Sequence, residues 1–236
     1  MEQPKYRYLL CDLDGTLFDF EAGEKLALET MWKRYNIPNT PETIQAYQRI
    51  NHRVWSQFEK GEITLAYLKG IRFVELFQEL GIEGDGKAAS YEFLEELGHY
   101  DIPYPDTLPL LKELKSRGYY IAVITNGVSS VQNSRLSVSQ AAQYFDKVFI
   151  SEDYAPLHKP EKAFFDLVFK EVGITDKSQS VVIGDSLASD ITGGINANID
   201  TVWFNPKNAP GNPNIKPTYE INKITQLLDI LPPLHK

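Results

Sequence analysis

Short apolar runs alternate with helical segments along the second half of the chain. The run at 119–124 is continuously apolar, as expected for a strand buried on both faces of a sheet. Further strand-like runs follow at 147–150, 180–183 and 201–204. Strands that alternate with helices form βαβ units with parallel strands. The pattern therefore predicts an α/β fold with a doubly wound, mostly parallel, Rossmann-like sheet, and helices at 107–117, 129–143, 161–172, 189–196 and 224–231.

A long helical stretch separates the first strand-like run, at 6–12, from the second. Capping and breaking residues bound four segments in it, which predict helices at 20–35, 41–60, 64–80 and 88–97. Four consecutive helices predict a small bundle inserted between the first two strands. We therefore expect a core domain of residues 1–17 and 103–236 and an all-helical, four-helix cap domain of residues 18–102.

The composition argues against several classes of protein. The chain has 236 residues, 42% of them hydrophobic, and a formal net charge of -8, which suits one large domain or a domain with an insert. An acidic chain argues against a nucleic-acid polymer as partner, and no segment is apolar enough to span a membrane. The N-terminus lacks the apolar core of a signal peptide, and Cys11 is the single cysteine. We expect a location in the cytoplasm, while the oligomeric state is left open.

Polar residues follow four of the predicted strands. Because ligands of open parallel sheets bind at the carboxyl ends of the strands, these positions form one candidate site: Asp12 and Asp14, Thr125 and Asn126, Lys159, and Asp185 with Asp190. Each position alone has an ordinary alternative, such as a surface turn, a helix cap or an exposed lysine. Their joint occurrence favours an enzyme.

The residue types match the needs of phosphoryl transfer. Asp12 and Asp14 point the same way at the end of a strand, which suits a carboxylate nucleophile beside an acid that moves a proton. Thr125 can donate to a phosphate oxygen, and Lys159 can place a positive charge on a phosphoryl group.

A second pair of carboxylates suits a metal ion. Asp185, together with Asp12, can hold a hard divalent cation such as Mg²⁺, and Asp190 can support that site. The alternative is that Asp185 is a turn residue and Asp190 a helix cap. The four segments together would supply a nucleophile, a metal, a positive group and an acid.

The chain resembles the haloacid dehalogenase superfamily over essentially its whole length, in the motifs Asp12-Leu13-Asp14-Gly15-Thr16, Thr125, Lys159-Pro160 and Gly184-Asp185 with Asp190. The helical insert is similar to that superfamily's C1 cap. The resemblance implies that Asp12 becomes an aspartyl phosphate, that Asp14 protonates the leaving group and then activates water, and that Thr125 and Lys159 bind phosphoryl oxygens, with Asn126 beside them. It also implies Mg²⁺ bound by Asp12, the main-chain carbonyl of Asp14 and Asp185, with Asp190 assisting. Asp14 favours phosphate esters over haloacids.

A finer resemblance is to the pyrimidine 5′-nucleotidase branch. It includes Thr125-Asn126-Gly127, Lys159-Pro160-Glu161-Lys162 and Gly193-Gly194-Ile195-Asn196-Ala197. Ser186 departs from the asparagine expected in that branch. The resemblance implies a Mg²⁺-dependent phosphomonoesterase for a small phosphorylated substrate, a nucleoside 5′-monophosphate with a pyrimidine base. The alternatives are a phosphatase or mutase for a small sugar phosphate or phosphoglycolate and, more remotely, a non-catalytic binding protein.

Contacts to the leaving group are expected just after the first motif, at Phe18, Asp19 and Phe20, unless these residues form a hinge. Aromatic residues of the insert either stack on a nucleobase or form the core of the bundle. They are Trp32, Tyr35, Tyr47, Trp55, Phe58, Tyr67, Phe73 and Phe77.

Overall fold

The computed structural model describes residues 5–234 of the chain. Residues 1–4 and 235–236, which the predicted core domain includes, lie outside the described residues. The chain divides into two compact units. An α/β unit contains residues up to 20, 102–129 and 136 onward, and a helical unit contains residues 21–101 and 130–135.

The α/β unit is built on a six-stranded sheet. Its strands are β1 (Tyr8–Cys11), β2 (Tyr120–Thr125), β3 (Lys147–Ile150), β4 (Ser180–Gly184), β5 (Asp200–Phe204) and β6 (Tyr219–Ile221). They lie in the order β3-β2-β1-β4-β5-β6 and all pair in parallel. The predicted doubly wound parallel sheet is therefore confirmed, and β1 lies at its centre beside β2 and β4.

The helices that follow these strands agree with the predicted alternation. They are α5 (Thr107–Ser116), α6 (Ser129–Val138), α7 (Lys162–Val172), α8 (Thr192–Ala197) and α9 (Leu227–Ile230). The predicted helix at 129–143 was too long, because the backbone is extended at Ser139 and a short 3₁₀ turn, Ala142–Tyr144, follows. Strand β6 was missed, since this three-residue strand follows a loop rich in Pro and Asn.

Apolar side chains cover both faces of the central strands. Leu9 and Cys11 of β1 face one hydrophobic cluster, together with Val181 and Ile183 of β4. Leu10 faces the other cluster, which contains aromatic residues of α7. Burial on both faces explains why these strands read as continuous apolar runs, and it fixes their carboxyl ends along one edge.

The helical unit contains α1 (Phe20–Arg34) from its second residue onward, α2 (Pro41–Glu59), α3 (Leu65–Leu80) and α4 (Gly86–Leu97). The four predicted helices of the insert are confirmed within two residues at each end. Local signals explain this agreement: the hydroxyls of Thr40 and Thr64 accept from the backbone N–H groups three residues on, and Gly81 ends α3 with a left-handed backbone.

Candidate active site

The first carboxylate of the site lies directly beyond β1. The Asp12 N–H donates to the Ile183 carbonyl at 2.8 Å, so the ladder between β1 and β4 continues one residue past the strand. The chain then turns at Gly15, whose φ is +84°. A Cβ at Gly15 would lie 2.6 Å from Asp185 Oδ2. Glycine is therefore required here both for the turn and for the close approach of Asp185.

Asp12, Asp185 and Asp190 form a compact cluster of carboxylates. One oxygen from each lies within 4.8 Å of the others. The Thr16 hydroxyl lies 3.3 Å from Asp12 Oδ2 and 3.3 Å from Asp185 Oδ1, and thus bridges two of them. Asp12, which is far from Asp185 and Asp190 in the sequence, therefore lies together with them beyond the ends of the adjacent strands β1 and β4.

Lys159 is buried within this cluster. Its Nζ donates to Asp12 Oδ1 at 2.6 Å, to Asp190 Oδ1 at 2.7 Å and to the Ile124 carbonyl at 2.8 Å. Burial opposes the charge of Lys159, but Asp12 and Asp190 outweigh that effect and raise its pKa. Lys159 is thus a fixed cation at the site, and the alternative of an exposed surface lysine is wrong because its side chain is 2% exposed.

The cluster contains three carboxylates and one ammonium group. Burial raises the pKa of Asp12 well above its ordinary value, Lys159 counteracts this, and Asp190 and Asp185 add to it. Burial and the nearby Asp190 likewise raise the pKa of Asp185 to about 7. Negative charge is therefore in excess among oxygen ligands, which is the environment that a hard divalent cation stabilises. The donor set fits Mg²⁺.

Asp190 is held from two sides. Besides Lys159, its carboxylate accepts the Ser186 N–H at Oδ2, 3.1 Å away. A π-helical turn, Leu187–Ile191, carries Asp190 back over the end of β4, where a Cβ at Gly184 would lie 2.2 Å from Asp190 Cγ. The glycine before Asp185 therefore makes room for Asp190.

Thr125 and Asn126 follow β2 and are both buried. The Thr125 hydroxyl accepts the Gly127 N–H at 3.0 Å. The Asn126 side chain accepts the Lys159 N–H at 2.9 Å and donates to the Lys159 carbonyl at 2.8 Å. The amide of Asn126 is thus engaged with the backbone of Lys159, so its side chain joins the two loops.

The remaining predicted residues lie in the turn after β1. Asp14 is half-buried, two residues beyond Asp12. Phe18 is fully buried in the hydrophobic core of the α/β unit, whereas Asp19 and Phe20 are half-buried. The expectation that Phe18 contacts the leaving group therefore gives way to a packing role, and Asp19 and Phe20 stay as candidates.

Two residues near the site were not singled out from the sequence. Thr16 bridges two carboxylates, whereas in the sequence it is only the last residue of the motif that begins at Asp12. Trp203 of β5 donates its indole N–H to the Asp185 carbonyl at 2.8 Å. The adjacency of β4 and β5, which brings Trp203 opposite Gly184, is a tertiary feature that the sequence pattern alone does not give.

Aromatic residues of the helical unit pack mainly on one another. The Phe73 ring lies 5.5 to 6.1 Å from the rings of Trp32, Tyr47, Phe77 and Phe93. Tyr67, in contrast, is 51% exposed. Most of the aromatic residues considered for a nucleobase thus form the core of this unit.

Among residues 5–234, none of the helices combines the length and the apolar character that a membrane span needs.

Comparison with known proteins identifies the family of this chain. A model of the haloacid dehalogenase-like hydrolases matches residues 6–198, and the chain belongs to this family. It is 39% identical over 230 residues to the HAD-hydrolase YfnB of Bacillus subtilis (strain 168), covering 96% of both chains. A crystal structure of YfnB, described as bound to magnesium and as revealing interdomain movement, superposes with a TM-score of 0.90 at 37% identity, covering 96% of this chain and 99% of that one.

Two further relatives carry a named activity. The pyrimidine 5′-nucleotidase PynA of Streptococcus pneumoniae (strain ATCC BAA-255 / R6) is 34% identical over 226 residues, covering 96% of this chain and 95% of PynA. The pyrimidine 5′-nucleotidase YjjG of Escherichia coli (strain K12) is 32% identical over 227 residues, covering 96% and 98%. The predicted family is therefore confirmed, and the protein is an enzyme with phosphatase activity.

Proposed function

We propose that the protein is a Mg²⁺-dependent phosphomonoesterase that acts through a phosphorylated Asp12 and prefers pyrimidine nucleoside 5′-monophosphates. The observation that supports this most directly is the cluster of Asp12, Asp185 and Asp190 around the buried Lys159. It combines a nucleophilic carboxylate, a fixed cation and an oxygen donor set in one place. Asp14 adds the acid that a phosphate ester requires.

The first step forms a bond between an Asp12 carboxylate oxygen and the phosphorus of the ester. The bond from phosphorus to the leaving oxygen breaks, and Asp14 gives its proton to that oxygen. Lys159 and Thr125 bind phosphoryl oxygens, which carry the negative charge of the transition state. The leaving alcohol departs, and Asp12 holds the phosphoryl group.

The second step returns the enzyme to its starting state. Asp14, now ionised, takes a proton from water, and the water oxygen attacks phosphorus. The bond between phosphorus and Asp12 breaks, so that inorganic phosphate is released and Asp12 is a carboxylate again. The balance is one ester and one water consumed for one alcohol and one phosphate formed.

Asp12, Asp185 and the main-chain carbonyl of Asp14 would hold Mg²⁺, with Asp190 in support. When bound, Mg²⁺ neutralises charge between the carboxylates and the phosphoryl oxygens. Within the chain itself, Thr16 and Lys159 hold Asp12 in place.

The substrate proposal rests on the relatives PynA and YjjG, both named pyrimidine 5′-nucleotidases, and on the motifs shared with that branch. Asp19 and Phe20, half-buried after the first motif, are the proposed contacts to the leaving group. A location in the cytoplasm stays a prediction.

Phosphate release with and without Mg²⁺ tests the proposal. The panel should contain ribo- and deoxyribonucleoside monophosphates, sugar phosphates and phosphoglycolate. We expect metal-dependent release that favours UMP, dUMP or dTMP. Release from sugar phosphates or phosphoglycolate alone would overturn the substrate and keep the mechanism. Release that is indifferent to chelation of the metal would overturn the mechanism.

A further inference from the structure

We infer that Trp203 is a positioning residue for the metal site, because it fixes the peptide group that follows Asp185. This inference rests on the proposed function, since it concerns the same Mg²⁺ site. Trp203 lies on β5, paired with Gly184 at the end of β4, and it is 5% exposed. Its indole therefore lies beside the turn that presents Asp185.

The peptide group between Asp185 and Ser186 is bound at both of its polar atoms. The Trp203 indole N–H donates to the Asp185 carbonyl at 2.8 Å. On the other side of the same group, the Ser186 N–H donates to Asp190 Oδ2 at 3.1 Å. Because a peptide group is planar, two opposed hydrogen bonds fix its orientation, and with it the backbone rotation that directs the Asp185 side chain.

Asp185 has little freedom to compensate if this peptide group turns. Its carboxylate lies 3.3 Å from the Thr16 hydroxyl, and it packs so close to Gly15 that no side chain fits at that position. Removal of a group that supports a metal ligand, without itself binding the metal, commonly changes the metal affinity. Loss of the indole N–H should therefore weaken Mg²⁺ binding without removing any ligand.

Trp203→Phe removes the donor and keeps a ring on β5. Titration calorimetry with Mg²⁺ alone should show an affinity about 10-fold weaker than that of the wild type. At saturating Mg²⁺ the kcat should return to the wild-type value, with KM for the phosphate ester unchanged. Trp55→Phe, the same change in the helical unit, is the matched control and should leave the affinity unchanged.

An unchanged Mg²⁺ affinity in Trp203→Phe would overturn the inference, and so would an equal loss in Trp55→Phe. If Trp203→Phe does not fold, benzothienylalanine at position 203 replaces the N–H by sulfur in a ring of nearly the same shape. Weaker Mg²⁺ binding by that variant supports the inference, and wild-type binding overturns it. If the wild-type protein hydrolyses phosphate esters only with Mg²⁺, the proposed function holds whatever the Trp203 variants show. If the wild-type protein binds no Mg²⁺, both the proposed function and the inference on Trp203 are overturned.

Discussion

Lys159 of the α/β unit and Arg72 of the helical unit are both buried cations, and their surroundings are opposite in kind. In the α/β unit, the Lys159 ammonium group forms ion pairs with the carboxylates of Asp12 and Asp190. In the helical unit, Arg72 is 1% exposed and meets neutral groups. Its Nη1 lies 3.2 Å from Asn51 Oδ1 and 3.4 Å from the Tyr47 hydroxyl.

The carboxylate of this network in the helical unit is Glu24, and Asn51 and the Tyr47 hydroxyl link it to Arg72. Glu24 accepts from Asn51 at 3.0 Å and from the Tyr47 hydroxyl at 3.1 Å. The Arg72 guanidinium lies 5.1 Å from the centre of the Phe93 ring, and its Nε and Nη2 have no hydrogen-bond partner among the described residues. This network ties α1, α2 and α3 together, so its role is structural.

The difference between the two clusters separates function from packing. An excess of carboxylates around one lysine is costly to fold and is useful only when a cation or a phosphoryl group arrives. A single arginine among neutral groups and aromatic rings stabilises helix packing and offers no nucleophile. Substitutions in the first cluster should therefore affect the reaction, and those in the second should affect stability.

The largest effect is expected for Asp12→Asn. The variant keeps the shape of the side chain and removes the nucleophilic oxygen, so kcat should fall by about 10³-fold or more. Its far-UV circular dichroism should match the wild type, because the hydrophobic core is untouched. Phosphate release from the preferred nucleotide measures the loss. Turnover at the wild-type rate would refute a phosphorylated Asp12.

The complementary variant is Arg72→Ala in the helical unit. It leaves a cavity and removes the donor to Tyr47 and Asn51, so the free energy of unfolding should fall by about 3 kcal/mol. Arg72→Met should lose less, since an apolar side chain of similar length fills the space while Glu24 still accepts from both partners. Urea unfolding followed by circular dichroism compares the two. Equal losses would show that the guanidinium itself, and not its volume, holds the helices.

The elements of both units were largely predictable because their signals are local. Thr40 and Thr64 before α2 and α3, and Gly81 and Gly173 after α3 and α7, mark helix ends through their own backbone and hydroxyl groups. Strand β6 lacked such a signal, since its pairing with β5 depends on a loop returning to the sheet edge.

The residues of the site were predictable in kind, but their partners were not. Strand ends of a parallel sheet bring Asp12 and Asp185 together whatever the loops do. The two hydrogen bonds between the Asn126 side chain and the Lys159 backbone depend instead on the relative position of two loops. The burial of Arg72 depends on side chains from three helices, and no spacing along one helix reveals it.

A moderate effect is expected for Asn126→Ala, which removes the two side-chain hydrogen bonds that hold the Lys159 backbone. Displacement of the lysine backbone should lower kcat by about 10- to 100-fold, because small shifts of a group at the phosphoryl position are costly. Asn196→Ala is the matched control: Asn196 donates to the neighbouring Pro160 carbonyl at 2.9 Å from an exposed position. Steady-state kinetics should show little change for Asn196→Ala. Equal rates in the two variants would refute a positioning role for Asn126.

The smallest effect concerns stability in the α/β unit away from the site. Burial opposes ionisation of Asp200, but hydrogen bonds from Lys5 and Tyr6 outweigh it and lower its pKa below the ordinary value of 3.8. The charged form is thus favoured in the folded state, so this contribution is present above pH 3.8 and is lost as the pH falls through the lowered pKa.

Asp200→Asn should accordingly cost about 0.5 to 1 kcal/mol at pH 7, the range for a partly exposed pair. Urea unfolding of the two proteins should show this difference at neutral pH and should lose it as the solution is acidified below the folded-state pKa. A difference that persists in acid would mean that the Tyr6 hydrogen bond, and not the charge of Asp200, provides the stability. Unlike the carboxylates around Lys159, Asp200 would then matter as a hydrogen-bond acceptor alone.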